Sequence, residues 1–199
     1  MNIGVCGGTF DPFHRGHLEP VLAIRRRMAW DRVIYIPAWQ QPFKTDRVAA
    51  SSYHRFTMTV LSTQYDESLF VSPLELERGG TSYTVETLQR LHAMYPGSTF
   101  DWIIGDDNVA QLSSWRDPER LFQLARFVVL ARGGPAPAPD LANRVAAGRI
   151  VYAQNDTVLI SSTDIRKRVR EGLPIDAFVD PLVSRYIDHN GLYKEETNA

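Results

Sequence analysis

The sequence predicts an α/β fold, a Rossmann-like doubly wound parallel sheet with helices on both faces and a small helical C-terminal subregion over about residues 161–193. Three observations carry this expectation. Short β-branched and aromatic runs alternate with segments of helical period, the pattern of repeated βαβ units. The first run ends in Gly7-Gly8 and opens onto a helix. After Ile150-Val151-Tyr152 only helical patterns remain. At 199 residues the chain is expected to form one domain with a substantial core, and its 44% hydrophobic and 23% charged content is ordinary for a globular protein.

The elements follow in order. Ile3 to Cys6 is a short apolar run, and a helix over about 16–28 carries Leu18, Val21, Leu22 and Ile24 before Arg25-Arg26-Arg27. Basic residues in a last turn complement the helix dipole. Val33-Ile34-Tyr35-Ile36, stopped by Pro37, reads as a buried parallel strand. The loop from Pro37 to Thr45 then leaves its carboxyl end, where ligands of open α/β sheets bind. Ser52 is expected to cap a helix with Tyr53, Phe56, Val60 and Leu61 on one face. Phe70-Val71-Ser72 is the third strand. A glycine turn from Arg78 feeds a helix with Val85, Leu88, Leu91 and Tyr95 at helical spacing, ended by Pro96-Gly97. Strands follow at Phe100 to Ile104, at Phe127 to Leu130 and at Ile150 to Tyr152, with a Pro/Ala/Gly surface loop after Gly133. Ser161 or Ser162 caps the next helix, which Gly172 and Pro174 stop. The last helix has Asp180 as cap and Pro181 at its first position, and Asn190-Gly191 ends it.

Two stretches carry chemistry. In Gly7-Gly8-Thr9-Phe10-Asp11-Pro12-Phe13-His14-Arg15-Gly16-His17, a glycine turn leads into a helix N-terminus, where backbone N–H groups can face a phosphate. His14 and His17 add imidazole donors, a combination suited to the charge that develops in phosphoryl or nucleotidyl transfer. Neither the dinucleotide fingerprint nor the Walker pattern is present. Zinc ligation would need partners that one Cys and three other His do not offer at ligand spacing. In the second stretch, Ser161, Ser162 and Thr163 open a helix, and Arg166 follows closely enough to aim its guanidinium at an anion held there. An ordinary capped helix with solvated Arg166, Lys167, Arg168 and Arg170 accounts for the same residues. His54, His92 and His189 lie on helices with no partner motif and read as structural or solvated.

Together these stretches resemble the bacterial nicotinate-mononucleotide adenylyltransferase family. G-G-T-F-D-P-x-H-x-G-H stands near one end and I-S-S-T-x-I-R near the other. Between them Arg78-Gly79-Gly80-Thr81-Ser82-Tyr83-Thr84 is similar to that family's R-x-G-x-S-Y-T segment. Ile104-Gly105-Asp106-Asp107 followed by Trp115 resembles its I-G-x-D and tryptophan, and Leu192-Tyr193 matches its common ending. The resemblance covers essentially the whole length. It implies that ATP and nicotinate mononucleotide are joined to give deamido-NAD and pyrophosphate, within a single nucleotidyltransferase domain over 1–199.

The roles it implies are specific. Gly8, Thr9 and Phe10 line the ATP site, and His14 and His17 hold its phosphates. Ser162, Thr163 and Arg166 close on the triphosphate, with His14, His17 and Arg166 the catalytic set. Gly105 and Asp107 lie by the ribose. Tyr83, Thr84 and Val85 border the pyridine pocket, with their backbone receiving its carboxylate, and Trp115 stacks on the ring, although core packing is the ordinary reading of a tryptophan. The attacking phosphate needs no protein base, so catalysis rests on positioning and charge neutralisation, helped by Mg²⁺ held mainly by the ATP phosphates. No protein metal ligand is expected. The chain departs from the family at Gln41-Pro42-Phe43-Lys44, where a histidine is common in place of Phe43 and where Lys44 supplies the charge toward the mononucleotide. It departs again at Asp106, a carboxylate that would repel an anionic substrate or face solvent.

Net charge of −1 argues against a dedicated nucleic-acid or membrane-surface binder. The single Cys6, and the lack of a signal-like start or an apolar run of membrane-spanning length, point to a cytoplasmic protein, compatible with homo-oligomerisation. Two other functions fit the motifs: a sibling such as a pantetheine-phosphate adenylyltransferase, and a non-catalytic nucleotide-binding regulatory module.

Overall fold

The computed structural model describes residues 1–42, 49–131, 141–154 and 160–194. Six parallel strands form one sheet: β1 (Asn2–Gly8), β2 (Arg32–Pro37), β3 (Leu69–Val71), β4 (Thr99–Gly105), β5 (Arg126–Ala131) and β6 (Ile150–Gln154). Their order is β3-β2-β1-β4-β5-β6. The order reverses between β1 and β4, so loops leaving those two strands diverge to opposite faces and open a crevice at their carboxyl ends.

The central strands bury both faces. On β1, Ile3 and Val5 point into a core shared with Ile34 and Ile36 of β2 and with Leu88 and Leu91 of α4 (Thr84–Met94). Val33 and Tyr35 point the other way, into a core with Val21 and Ile24 of α1 (Arg15–Arg25). The period-2 alternation therefore serves two cores, which explains the near-continuous apolar strands. At the amino end of the sheet, Trp30 Nε1 donates to Asp101 Oδ2 at 2.6 Å, and Arg126 grips the same carboxylate through Nε at 2.8 Å and Nη2 at 2.5 Å. That cluster ties three elements together far from the crevice.

A third core joins α2 (Ser52–Thr63) to α7 (Ser162–Arg170) and α8 (Pro181–His189), through Met58, Ile165, Val183 and Ile187. Burying each such side chain contributes about 1.5–3 kcal/mol. This core docks the C-terminal helices beside the sheet. Asp180 caps α8 with its carboxylate on the Leu182 N–H at 2.8 Å, and Pro181 follows.

Several expectations are corrected. Ser51 rather than Ser52 is the cap of α2, accepting from the His54 N–H. The face of α2 turned inward is Arg55, Met58, Thr59, Ser62 and Thr63, whereas Tyr53 and Val60 are exposed. The two threonine hydroxyls bury cheaply because Thr59 Oγ1 donates to Arg55 O at 2.8 Å and Thr63 Oγ1 to Thr59 O at 2.9 Å. The first helix ends at Arg25, short of Met28. Four short elements went unread: α3 (Leu74–Arg78), a 3-10 helix (Asp106–Ser114), α5 (Pro118–Leu124) and α6 (Ala142–Ala146). Phe43, Lys44 and the loop after Gly133 lie outside the described residues. Among the described residues, no helix is long and apolar enough to cross a membrane.

Candidate active site

A cleft of about 980 Å³ opens at the carboxyl ends of β1 and β4, where the strand order reverses. It lies at the upper end of the roughly 300–1,000 Å³ typical of small-molecule sites. Gly8, Thr9, Phe10, His14 and His17 line it from the β1 side, and Gly105 and Asp107 from β4. Ser162, Thr163 and Arg166 line it from the start of α7, and Tyr83, Thr84 and Trp115 complete the wall. Residues from both ends of the chain thus share one cavity. The Val85 side chain does not line it: that residue is 5% exposed and packs into the core under α4.

The glycines at the end of β1 serve packing first. A Cβ on Gly7 would come within 2.7 Å of the Trp102 ring, and one on Gly8 within 2.6 Å of Phe10. Phe10 adopts φ 53°, costly for an aromatic residue and a mark of a tightly determined site. It is wedged among Phe13, His17 and Tyr35, with ring centroids 5.2, 5.0 and 6.1 Å away. That aromatic nest fixes His17, and Tyr35 adds a hydroxyl donation to His17 O at 3.2 Å. His14 is the extended N-cap residue of α1 and is 4% exposed. The two imidazoles stack with centroids 3.7 Å apart. The His14 N–H donates to His17 Nδ1 at 3.3 Å, which assigns the proton of the neutral His17 ring to Nε2. Two stacked imidazoles at a helix N-terminus form a preorganised donor set for phosphate oxygens.

Asp11 ties the far end of the chain to this turn. Its carboxylate accepts from Ala49 N–H at 2.8 Å, Ala50 N–H at 3.2 Å and the Tyr193 hydroxyl at 2.7 Å. Its carbonyl accepts Arg166 Nη1 at 2.7 Å, while Arg166 Nη2 donates to Thr163 Oγ1 at 3.2 Å. Ser162 Oγ donates to Pro12 O at 3.0 Å, and the Arg15 N–H to Phe178 O at 2.8 Å. Ser161, not Ser162, caps α7 in a capping box with Asp164, which leaves Ser162 to face the turn. Desolvation and the nearby Asp11 carboxylate push the Tyr193 phenol up, so it remains a donor.

Behind the turn lies Arg55, 1% exposed. Its guanidinium donates to four carbonyls: Thr9 O at 2.5 Å, Ala38 O at 2.7 Å, and Trp39 O and Ala50 O at 3.2 Å. It joins the loops after β1 and β2, and desolvation lowers its pKa while Asp11, Tyr193 and Glu75 oppose that. Sequence reading passed over Arg55 because a charged residue on a helix is ordinarily solvated. The tethering of Asp11 and Tyr193 was also missed. The one sequence signal for it was the position of both residues within motifs quoted for other reasons.

Around the proposed pyridine pocket, Tyr83 is the N-cap residue of α4. The preceding segment is held by Ser82 N–H to Gln40 O at 2.8 Å and by Trp39 N–H to Ser82 Oγ at 3.2 Å. Glu75, 6% exposed, accepts from Thr87 Oγ1 at 2.6 Å, and burial pushes its carboxyl up. Trp115 is half-buried, with its ring edge-on to Phe127 at 6.2 Å and its Nε1 buried without a hydrogen-bond partner among the described residues. It serves the core with one side and the cleft with the other. Asp106 is half-buried, and its charge acts on Tyr152 of β6. His54 and His92 are structural, on Tyr186 Oη and Leu124 O, each at 2.9 Å.

Nucleophilic thiol chemistry does not suit this cleft, since desolvation pushes the Cys6 thiol up to about 12. Among the described residues, no group of three or more His, Cys, Asp or Glu could hold a metal ion. The cleft instead presents imidazoles, N–H groups and a guanidinium, a donor set that fits an anion.

Comparison with known proteins gives the family and the fold. The cytidylyltransferase-like family model matches residues 5–168. A protein of Roseiflexus sp. is 40% identical over 195 residues, covering 96% of this chain and 98% of its own length. One of Saccharopolyspora erythraea is 36% identical over 197 residues, covering 99% and 92%. Each is described as a probable nicotinate-nucleotide adenylyltransferase. The fold matches that of Plasmodium falciparum nicotinic acid mononucleotide adenylyltransferase complexed with NaAD, at TM-score 0.77 and 20% identity, covering 96% of this chain and 97% of that one.

Proposed function

The chain belongs to the cytidylyltransferase-like family and, within it, to the nicotinate-nucleotide adenylyltransferases, and from that premise we propose how its own cleft carries out the reaction. ATP and nicotinate mononucleotide bind together, and a phosphate oxygen of the mononucleotide attacks the α-phosphorus of ATP. The new P–O bond gives deamido-NAD, the α–β bond breaks, and pyrophosphate leaves with its electron pair. The observation that carries this reading is the meeting of the His14–His17 turn with Ser162, Thr163 and Arg166 around one cavity.

Each residue has a task in this scheme. His14, His17 and the N–H groups opening α1 neutralise the triphosphate, with Gly8, Thr9 and Phe10 as the floor. Ser162, Thr163 and Arg166 approach from the opposite wall. Gly105 and Asp107 receive the ribose. Tyr83 and Thr84, with the backbone of Val85, border the pyridine ring, Trp115 covers it, and Lys44 supplies charge toward the mononucleotide. An ionised phosphate is already a competent nucleophile, so positioning and charge neutralisation supply the rate. A divalent ion, Mg²⁺ in this reading, would enter with the ATP phosphates that His14, His17 and Arg166 hold, and would supply further neutralisation of their charge. The whole chain acts as one domain, since the C-terminal helices complete the site that the N-terminal motif begins.

A substrate panel tests the assignment. ATP with nicotinate mononucleotide should release pyrophosphate and form deamido-NAD in equal amounts, while 4′-phosphopantetheine in its place should give none. Pyrophosphate release only with 4′-phosphopantetheine, or with no acceptor, would contradict it.

A further inference from the structure

Trp115 and Arg116 stand side by side where the 3-10 helix ends, and both line the cleft. The guanidinium carbon of Arg116 sits 4.5 Å from the centroid of the Tyr83 ring. Its Nη1 donates to Glu86 Oε1 at 2.8 Å. The other oxygen of Glu86 is bonded by Arg78, which also donates to Thr81 O. Arg78 and Arg116 share the Glu86 carboxylate, and Arg78 also faces the buried Glu75, so the carboxylates on this rim are drawn mainly to Arg78 while Arg116 keeps its Nε and Nη2 donors. Glu86 lies in the first turn of α4, whose helix dipole adds positive potential. Stacking on Tyr83 and the bond to Glu86 hold the Arg116 head in place, although its side chain is 56% exposed.

The acid and carboxamide forms of a pyridine mononucleotide share ring, ribose and phosphate. They differ by one negative charge and by the amide's two N–H donors. A guanidinium carries only donors. It can donate to the oxygen of either ligand, but only the carboxylate brings a full negative charge to meet it, and it offers no acceptor to an amide NH₂, so the acid is favoured. We propose that Arg116, held over Tyr83 and against Glu86, is a specificity-determining residue that selects the acid over the carboxamide mononucleotide. This rests on the adenylyltransferase reading above and deepens it.

The test compares kcat/KM for nicotinate and nicotinamide mononucleotides, with ATP saturating, in the wild type, Arg116→Gln and Arg116→Lys. Thermal melts verify folding. Arg116→Gln should lower the acid-to-amide ratio about tenfold, the scale of one partly screened unit charge over a few ångströms. The change should come through KM for the acid rather than through kcat. Arg116→Lys retains the charge and should keep most of the ratio. An unchanged ratio in Arg116→Gln, or an equal fall in the lysine variant, overturns the proposal while leaving the adenylyltransferase reading intact. If the wild type forms neither dinucleotide, that reading fails and takes this inference with it.

Discussion

Arg166 directs both terminal nitrogens at groups of the protein, Asp11 O and Thr163 Oγ1, and so stands in a fixed pose at the cleft wall. A lysine there keeps the charge and loses the fork. Arg166→Lys is therefore expected to raise KM for ATP or lower turnover by about tenfold, with mononucleotide affinity little changed; steady-state kinetics with each substrate varied in turn would show it. Unchanged kinetics would return α7 to an ordinary capped helix. Trp115 has a double role that the same kind of experiment can separate. Its ring packs toward Phe127 while facing the cleft, so Trp115→Ala should weaken mononucleotide binding by roughly 1–3 kcal/mol and leave ATP binding nearly intact. Separate titrations check this, and equal losses for both ligands would make Trp115 purely structural.

At the level of elements, the N-terminal turn is held by parts that arrive late in the chain. The Tyr193 hydroxyl on Asp11 is buried, and hydrogen bonds to carboxylates contribute about 1.5–3 kcal/mol. Tyr193→Phe should lower the unfolding free energy by about that amount, measured by urea denaturation; a loss below about 0.5 kcal/mol would show that Asp11 is held without it. What the sequence made legible follows the same physical logic. The strands were readable because β-branched runs such as Val33-Ile34-Tyr35-Ile36 are flanked by turn residues. α8 was readable because Asp180 and Pro181 mark its start. The inward face of α2 was not, because Arg55, Thr59, Ser62 and Thr63 are polar and hydrophobic period points away from them. α3 and α6, of five residues each, are too short to show a period at all. Within the site, His14, His17 and Arg166 were legible as donors near helix starts. Arg55, Glu75 and the tethering by Asp11 were not, since their roles depend on burial that only the assembled fold creates.

For the molecule as a whole, the strand order places the ends of β1 and β4 at the mouth of the cleft. The core of α2, α7 and α8 then brings Ser162, Thr163 and Arg166 against the turn that begins the chain. The proposed phosphate chemistry draws on both halves, and its central claim is that the His14–His17 turn is where the transferred phosphorus is held. The most direct measurement is the turnover of ATP and nicotinate mononucleotide by His14→Ala and by His17→Ala, beside the thermal midpoint of each variant. Loss of one preorganised donor typically costs about 10²–10³ in rate, and that fall is expected for each with the midpoint nearly unchanged. Turnover within a few fold of the wild type in either folded variant would contradict the claim.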